Sequence, residues 1–186
     1  MNVLETINKR RAYRSLDKTP ISDEIISDLV ESARLSASCF NNQPWRYVFV
    51  YDSKVLSKMH EALSSGNEWA KRASMIIAVC SKKEDDCLIK DREYYLFDTG
   101  MATALLILRA TELGLVAHPI AGYSPKKTRE ILDIPDEMNV ITLVIVGKHA
   151  DKIHPELTEK QIETEKERPK RKTIKEFVYL NKWKGN

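Results

Sequence analysis

The chain has 186 residues, of which 42% are hydrophobic and 31% charged, values typical of one globular domain that can bury a core without disulfides. Its net charge is only +3 and its basic residues cluster near the two ends, which argues against a nucleic-acid-binding surface. No run approaches the roughly 20 apolar residues of a membrane span, and the first residues lack an apolar signal core. We therefore expect a soluble protein of the cytoplasm that binds neither nucleic acid nor membrane.

The three cysteines, Cys39, Cys80 and Cys87, are odd in number and form no Cys-x-x-Cys pair. The sequence therefore predicts neither a disulfide framework nor a zinc site, in keeping with a reducing compartment. Cys39 is interpreted as a small uncharged residue, because its neighbours supply no clear activating base, and a redox thiol is the alternative that stays open. Histidines and carboxylates also lack metal-ligand spacing, so no metal is expected.

The N-terminal segment begins with a short helical pattern that contains Val3, Leu4 and Ile7. Four cations follow within six positions: Lys9, Arg10, Arg11 and Arg14. Cations this close repel one another unless they share an anion, and arginine suits a phosphate because its paired donors match the oxygens. A solvated run of charge is the alternative. A second basic cluster at 168–172 offers an opposite wall for the same anion.

An amphipathic helix is predicted over 22–35, with Ser22 as its cap and its apolar positions on one face. A polar connector (36–44), which we call the amide loop, leads from this helix into a predicted strand at 45–51. The carboxamides of Asn41, Asn42 and Gln43 can donate and accept at once, which suits the edge of a heteroaromatic ring. The alternative is a polar loop whose amides cap the helix and turn.

Further along, helices are predicted over 53–63, over 94–113 and from Ser124 onward, and strands over 74–80, 116–120 and 139–147. The charged stretch 82–91 is predicted to be a loop, and 150–166 is hydrophilic. The helix at 94–113 is apolar nearly all round and ends at Gly114, and the tail from about 168 to 186 regains apolar residues. Because a single domain (1–186) of this size should not leave so much apolar surface uncovered, we predict a homodimer whose tail wraps its own domain or its partner.

Four segments, in this order, resemble motifs of the FMN-dependent nitroreductase family. They are Arg10-Arg11-Ala12-Tyr13-Arg14, Ala37-Ser38-Cys39-Phe40-Asn41-Asn42-Gln43-Pro44-Trp45, His118-Pro119-Ile120-Ala121-Gly122-Tyr123 and Lys170-Arg171-Lys172. The family has an Arg-Arg-Ser-x-Arg type opening, a Pro-Ser-x-x-Asn-x-Gln-Pro-Trp loop, a Pro-x-x-Gly-Phe/Tyr turn and a basic closing segment. Ala12 departs from a serine that hydrogen-bonds the phosphate, and Ala37 departs from a proline.

The resemblance implies an α+β sandwich, with a central mainly antiparallel sheet flanked by helices, that binds FMN as a homodimer. It implies a ping-pong reaction in which NAD(P)H gives a hydride to flavin N5 and a nitroaromatic, quinone or similar flat acceptor then takes the electrons. No catalytic side chain is assigned, because the cofactor carries the chemistry. No dinucleotide fingerprint follows a strand, so the nicotinamide nucleotide would bind transiently above the flavin.

The same resemblance implies roles for particular residues. Arg10, Arg14 and Arg171 would bind the phosphate, with Arg11 and Lys172 beside them. Ser38 and Asn41 would meet the ring or ribityl chain, and Asn67 and Lys71 the pyrimidine edge. The segment near N5 comprises Pro119, Ile120, Ala121 and Gly122. Phe40 and Tyr123 are candidates to shape the acceptor space. Apart from the resemblance, His118 is interpreted as structural and not as a proton donor. Asp98, near the start of a predicted helix, could cap it or pair with an arginine, and its role stays open.

Three alternatives stay open from the sequence. One is a specialised dehydrogenase, dehalogenase or flavin-cleaving enzyme on the same scaffold. Another is a non-catalytic flavin-binding redox sensor or storage protein. The third is a small basic α/β module that binds phosphorylated metabolites without redox work.

Overall fold

The computed structural model describes residues 2–183. Its helices within this range are α1 (Val3–Lys9), α2 (Asp23–Arg34), α3 (Ser53–Met59), α4 (Tyr95–Glu112), α5 (Pro125–Leu132) and α6 (Glu159–Lys166). Its strands are β1 (Leu16–Asp17), β2 (Arg46–Val50), β3 (Met75–Ser81), β4 (Leu88–Ile89), β5 (Arg92–Glu93), β6 (Leu115–Ile120) and β7 (Asn139–His149). None of the described helices is both long and apolar enough to cross a bilayer.

The central sheet is antiparallel, with the strand order β1–β7–β3–β2 and with β6 also paired along β7. Strand β3 is buried along its whole length, and its successive side chains alternate between two core clusters, as a period of two requires. Helices α3 and α5 pack on one face and α2 and α4 on the other. The predicted α+β sandwich is confirmed.

Local signals place several of these elements where the sequence predicts them. The Ile25 N–H donates to Ser22 Oγ at 3.4 Å, which caps α2, and the Lys127 N–H donates to Ser124 Oγ at 3.2 Å, which caps α5. Gly114 follows α4 with φ of 79°, a left-handed conformation that glycine adopts without strain. The predicted beginnings of α2 and α5 and the end of α4 are therefore confirmed.

Two stretches differ from the sequence prediction. Helix α6 lies in the hydrophilic stretch 150–166, for which no element was predicted, and it begins with a capping box between Thr158 and Gln161. The charged stretch 82–91 contains β4, which pairs with β5 in a small hairpin, so the prediction of a plain loop is wrong.

Apolar side chains remain uncovered on α4 and along the tail. Leu96 is 50% and Phe97 61% exposed, so a single chain leaves part of the apolar surface of α4 uncovered. In the described part of the tail Ile174, Phe177 and Leu180 are also exposed. These side chains do not pack into their own domain. The homodimer stays a prediction, and residues 184–186 of the predicted tail lie outside the described range.

Candidate functional site

A pocket of about 230 Å³ lies between the N-terminal segment and the beginning of the tail. We call it the arginine pocket, because its lining contains five arginines and no carboxylate: Arg10, Arg11, Ala12, Arg14, Thr164, Arg168, Pro169 and Arg171. Arginines predicted from opposite ends of the chain are thus brought together. Lys172 is exposed and is not part of the lining.

The charges of this pocket are poorly compensated within the described chain. Burial, reinforced by the positive charges of Arg168 and Arg171, lowers the pKa of Arg10, and burial also lowers the pKa of Arg14. Between residues 2 and 183 no protein acceptor receives a hydrogen bond from the guanidinium of Arg10 or Arg171. A bound anion would accept these hydrogen bonds and offset the crowding of like charge.

Helix α6 holds the walls of the pocket together. The carboxylate of Glu165 is buried and accepts hydrogen bonds from the backbone N–H groups of Arg14 at 2.7 Å and Ser15 at 3.3 Å. Arg11 donates from Nη2 to the Thr164 carbonyl at 2.6 Å, and Arg168 donates from Nη2 to the Arg10 carbonyl at 2.9 Å. Arg11 is therefore partly committed to the protein itself. Sequence reasoning missed Glu165 and Thr164 because it placed no helix here.

A second cluster lies at the end of β6. Asn67 donates from Nδ2 to the Gly122 carbonyl at 2.9 Å, and Trp69 donates from Nε1 to Asn67 Oδ1 at 3.2 Å. A Cβ on Gly122 would overlap Asn67 Nδ2, so glycine is required if this carboxamide is to stay in place. The Gly122 N–H donates to no protein acceptor in the described chain, and Lys71 is exposed and forms no ion pair there.

The other residues predicted near Gly122 lie at different depths. The side chain of Ile120 is buried in the core, so only its backbone could face a ligand. Pro119 and Ala121 are exposed. The Tyr123 ring is buried and its hydroxyl donates to the Val140 carbonyl at 2.7 Å. Tyr123 is therefore a core residue and does not shape an acceptor space.

Trp69, which sequence reasoning also missed, joins the two clusters. The guanidinium of Arg14 lies 5.9 Å from the centre of its ring, and His118 stacks on it at 4.8 Å between ring centres. His118 Nδ1 lies 3.0 Å from the Tyr13 carbonyl, which can only accept, so Nδ1 carries the proton. Burial lowers the pKa of His118 to about 4, so the ring is neutral at pH 7. These contacts fit a structural role.

The amide loop lies apart from both clusters. Ser38 Oγ accepts a hydrogen bond from the Gln43 N–H at 3.0 Å, and the Cys39 N–H donates to Asp98 Oδ2 at 2.6 Å. Between residues 2 and 183 Asp98 forms no ion pair with an arginine, and its carboxylate accepts the Cys39 N–H and no N–H of α4. Asn41 is exposed, as is Phe40. Across residues 2–183, no hydrogen bond, ion pair or aromatic contact connects Ser38 or Asn41 with the arginine pocket or with Gly122.

Cys39 and Cys87 form a disulfide, with 6.1 Å between their Cα atoms, and Cys80 is a buried free thiol. The prediction that the chain holds no disulfide is wrong, and so is the interpretation of Cys39 as an uncharged filler. The two cysteines are 48 residues apart in sequence, so no local pattern announces the pair.

The antiparallel sheet between two helical layers, with the arginine pocket at its edge, defines an α+β sandwich with a candidate anion site. The model of the Nitroreductase family matches residues 7–68 and 61–148. A relative from Archaeoglobus fulgidus, provisionally named an NADH dehydrogenase/NAD(P)H nitroreductase, is 33% identical over 153 residues, which are 80% of this chain and 86% of the relative. The chain belongs to the Nitroreductase family.

Solved structures agree with this assignment. A crystal structure described as an oxidoreductase containing FMN matches with a TM-score of 0.82 and 29% identity, covering 97% of this chain and 92% of its own. A nitroreductase family protein from Clostridium difficile 630 matches with a TM-score of 0.78 and 25% identity, covering 98% of this chain and all of its own.

Proposed function

We propose that the protein is an FMN-dependent oxidoreductase that takes electrons from NADH or NADPH and passes them to flat acceptors such as nitroaromatics and quinones. The observation that carries this proposal is the arginine pocket, with five guanidinium groups and no carboxylate in its lining. The names of the relatives and the FMN in a structural neighbour support it.

The residues present fit FMN by their chemistry. Arg10, Arg14 and Arg171 would bind the phosphate. Its negative charge at neutral pH would compensate the crowded positive charges of these arginines. Ala12 offers no hydroxyl where the family has serine, a loss of one neutral hydrogen bond of about 0.5–1.5 kcal/mol that the arginines can offset. Lys71 and Asn67 would meet the pyrimidine edge, and the free N–H of Gly122 would face N5.

FMN in this site supplies reversible hydride and electron transfer, and the chain supplies position and electrostatics. Trp69 and His118 form a rigid base that links the phosphate end to the Gly122 end. The Nδ1 proton of neutral His118 is engaged in the hydrogen bond to the Tyr13 carbonyl. His118 therefore has a structural role and is not a proton donor in the reaction. Phe40 is an exposed aromatic surface that would help to shape the acceptor space. A pocket shaped by aromatic rings discriminates weakly between electron acceptors. Strong selection would require buried polar groups that an unsuitable acceptor leaves without a hydrogen-bond partner.

We also propose that the working unit is a homodimer in the cytoplasm. The exposed apolar side chains of α4 and the tail need a cover, and a second copy provides one. A dimer also explains why Ser38 and Asn41 do not reach the arginine pocket of their own chain. The amide loop of the partner subunit would complete the site.

Titration with FMN and riboflavin tests the pocket directly. Arg10→Ala and Arg171→Ala should each weaken FMN binding by about 1.5–3 kcal/mol, the range for hydrogen bonds to charged groups, and leave riboflavin binding unchanged. Arg34→Ala is the matched control, because this exposed arginine of α2 pairs with Glu31 and does not line the pocket. Equal affinity of the unmodified protein for FMN and riboflavin would remove the basis of the proposal.

Anaerobic mixing of the FMN-loaded protein with NADH or NADPH tests the reaction. Either nucleotide should bleach the flavin absorbance, and steady-state turnover with a quinone or a nitroaromatic should give parallel double-reciprocal plots. Bleaching without turnover would point to a sensor or storage protein. If neither nucleotide bleaches the flavin, the proposed reaction is wrong.

A further inference from the structure

The disulfide between Cys39 and Cys87 restrains a loop whose backbone is unfavourable. Phe40, Asn41 and Gln43 have φ values of 47°, 59° and 51°, although none is glycine. A left-handed conformation is unfavourable for Phe40 and Gln43, whereas asparagine tolerates it, so the surrounding structure must hold Phe40 and Gln43 in place. Phe40, next to Cys39, is held with 84% of its surface exposed.

Hydrogen bonds also anchor the amide loop. Its C-terminal end is held by the Ser81 hydroxyl and by Arg46, which donate to the Pro44 and Gln43 carbonyls at 3.1 Å each. At its centre the Cys39 N–H donates to Asp98, and Asn42 Nδ2 donates to Asp86 Oδ1 at 3.3 Å and to Cys87 Sγ at 3.4 Å, so these bonds depend on the position of Cys39 or Cys87. The disulfide therefore connects the loop covalently to the segment that leads into the β4–β5 hairpin.

We propose that Cys39–Cys87 is a reversible thiol–disulfide site that fixes the amide loop and, through the loop, strengthens FMN binding. The effect on FMN rests on the proposed function, whereas the effect on the loop does not. In a reducing compartment a disulfide of this kind is transient, which suits a switch more than a permanent bridge.

The reductant is a small-molecule or protein dithiol. One of its thiolates attacks the sulfur of Cys39, which is less buried than Cys87, and the protein S–S bond breaks to leave a mixed disulfide. The second thiolate of the reductant then releases Cys39. The protein disulfide gains two electrons and two protons and becomes two thiols, and the dithiol becomes a disulfide.

Two acidic side chains lie beside the pair. The sulfurs of Cys39 and Cys87 and a carboxylate oxygen of Asp86 lie within 4.8 Å of one another, and Asp98 accepts the Cys39 N–H from within the core. Negative charge here disfavours a thiolate on either cysteine, so the reduced pair is held as neutral thiols and its exchange with other thiols is slowed.

Thiol counting and hydrogen exchange test the site. After air oxidation and unfolding without reductant, alkylation should label one cysteine, and after dithiothreitol it should label three. Reduction should raise amide exchange of the folded protein at 36–44 at least tenfold, leave β3 unchanged and weaken FMN binding several-fold. Cys39→Ser and Cys87→Ser should reproduce the reduced protein and ignore dithiothreitol, whereas Cys80→Ala should keep the response.

Different outcomes separate the two proposals. Three labelled cysteines in the oxidised sample, zinc that co-purifies and is lost in Cys39→Ser, or unchanged exchange at 36–44 would each overturn the disulfide site. An FMN affinity that does not change although the loop loosens would overturn its link to the cofactor. Faster loop exchange in a protein that never binds FMN would support the disulfide site and contradict the proposed function.

Discussion

The Glu165 carboxylate offers a sharp test of how the arginine pocket is assembled. It is buried and accepts the N–H groups of both Arg14 and Ser15. Glu165→Gln keeps the shape of the side chain but replaces one accepting oxygen with an NH₂ group, so one buried N–H loses its partner. A hydrogen bond to a charged group is worth about 1.5–3 kcal/mol, and removing the buried charge gives part of this back. We expect a loss of about 2 kcal/mol in the free energy of unfolding.

Urea denaturation followed by tryptophan fluorescence measures this loss, because buried Trp69 lies beside Arg14. Glu163→Gln is the matched control: it changes the same residue type in α6 at an exposed position, where substitutions usually stay within about 0.5 kcal/mol. For a protein of this size 2 kcal/mol corresponds to a melting point lower by about 4–8 °C. If the two variants unfold at the same urea concentration, Glu165 does not hold the arginine segment and the reasoning is wrong.

Three further predictions follow from the described contacts. Burial lowers the pKa of His118 from 6.5 to about 4. As the pH falls, the imidazole therefore takes up a proton in the unfolded chain before it does so in the folded chain, and the free energy of unfolding should drop by about 3 kcal/mol between pH 6.5 and 4. Over this pH range the urea midpoint of His118→Asn should fall less than that of the unmodified protein. Gly122→Ala should displace Asn67 and lower the melting point, whereas Gly100→Ala, which meets no neighbour within 4 Å on helix α4, should raise it. Deleting the residues after Lys175 should weaken the dimer and FMN retention in sedimentation experiments, and a folded, flavin-loaded monomer of the full chain at micromolar concentration would contradict the homodimer.

The parts of the fold that the sequence predicts well are those that depend on neighbouring residues. The N-cap of α2 needs only the hydroxyl of Ser22 at the right position. The end of α4 needs only a residue that adopts a positive φ without strain, which is Gly114. The arginine pocket was also within reach, because unbalanced positive charge at both ends favours a shared anion. Helix α6 carried a readable signal, the Thr158–Gln161 capping box, that the high polarity of the stretch concealed.

Other features depend on contacts between distant parts of the chain. The disulfide joins residues separated by 48 positions, and nothing in the spacing distinguishes Cys87 from buried Cys80 as the partner of Cys39. From its motif, Tyr123 is expected to line a pocket. In the structure its hydroxyl donates a hydrogen bond to a carbonyl of β7, which allows the ring to be buried in the core. Whether Ser38 and Asn41 meet a flavin depends on a second chain, which a single sequence pattern does not describe.

The arginine pocket has a consequence for the order of events during synthesis. One wall is made within the first residues of the chain, and the other only with Arg168, which hydrogen-bonds to a carbonyl 158 positions earlier. The sheet needs no residue after His149, so a nascent chain can build its core well before the pocket exists. Cofactor binding should therefore follow completion of the sheet. A chain that ends near residue 160 should fold around its sheet but fail to retain the cofactor, because it lacks Arg168 and Arg171.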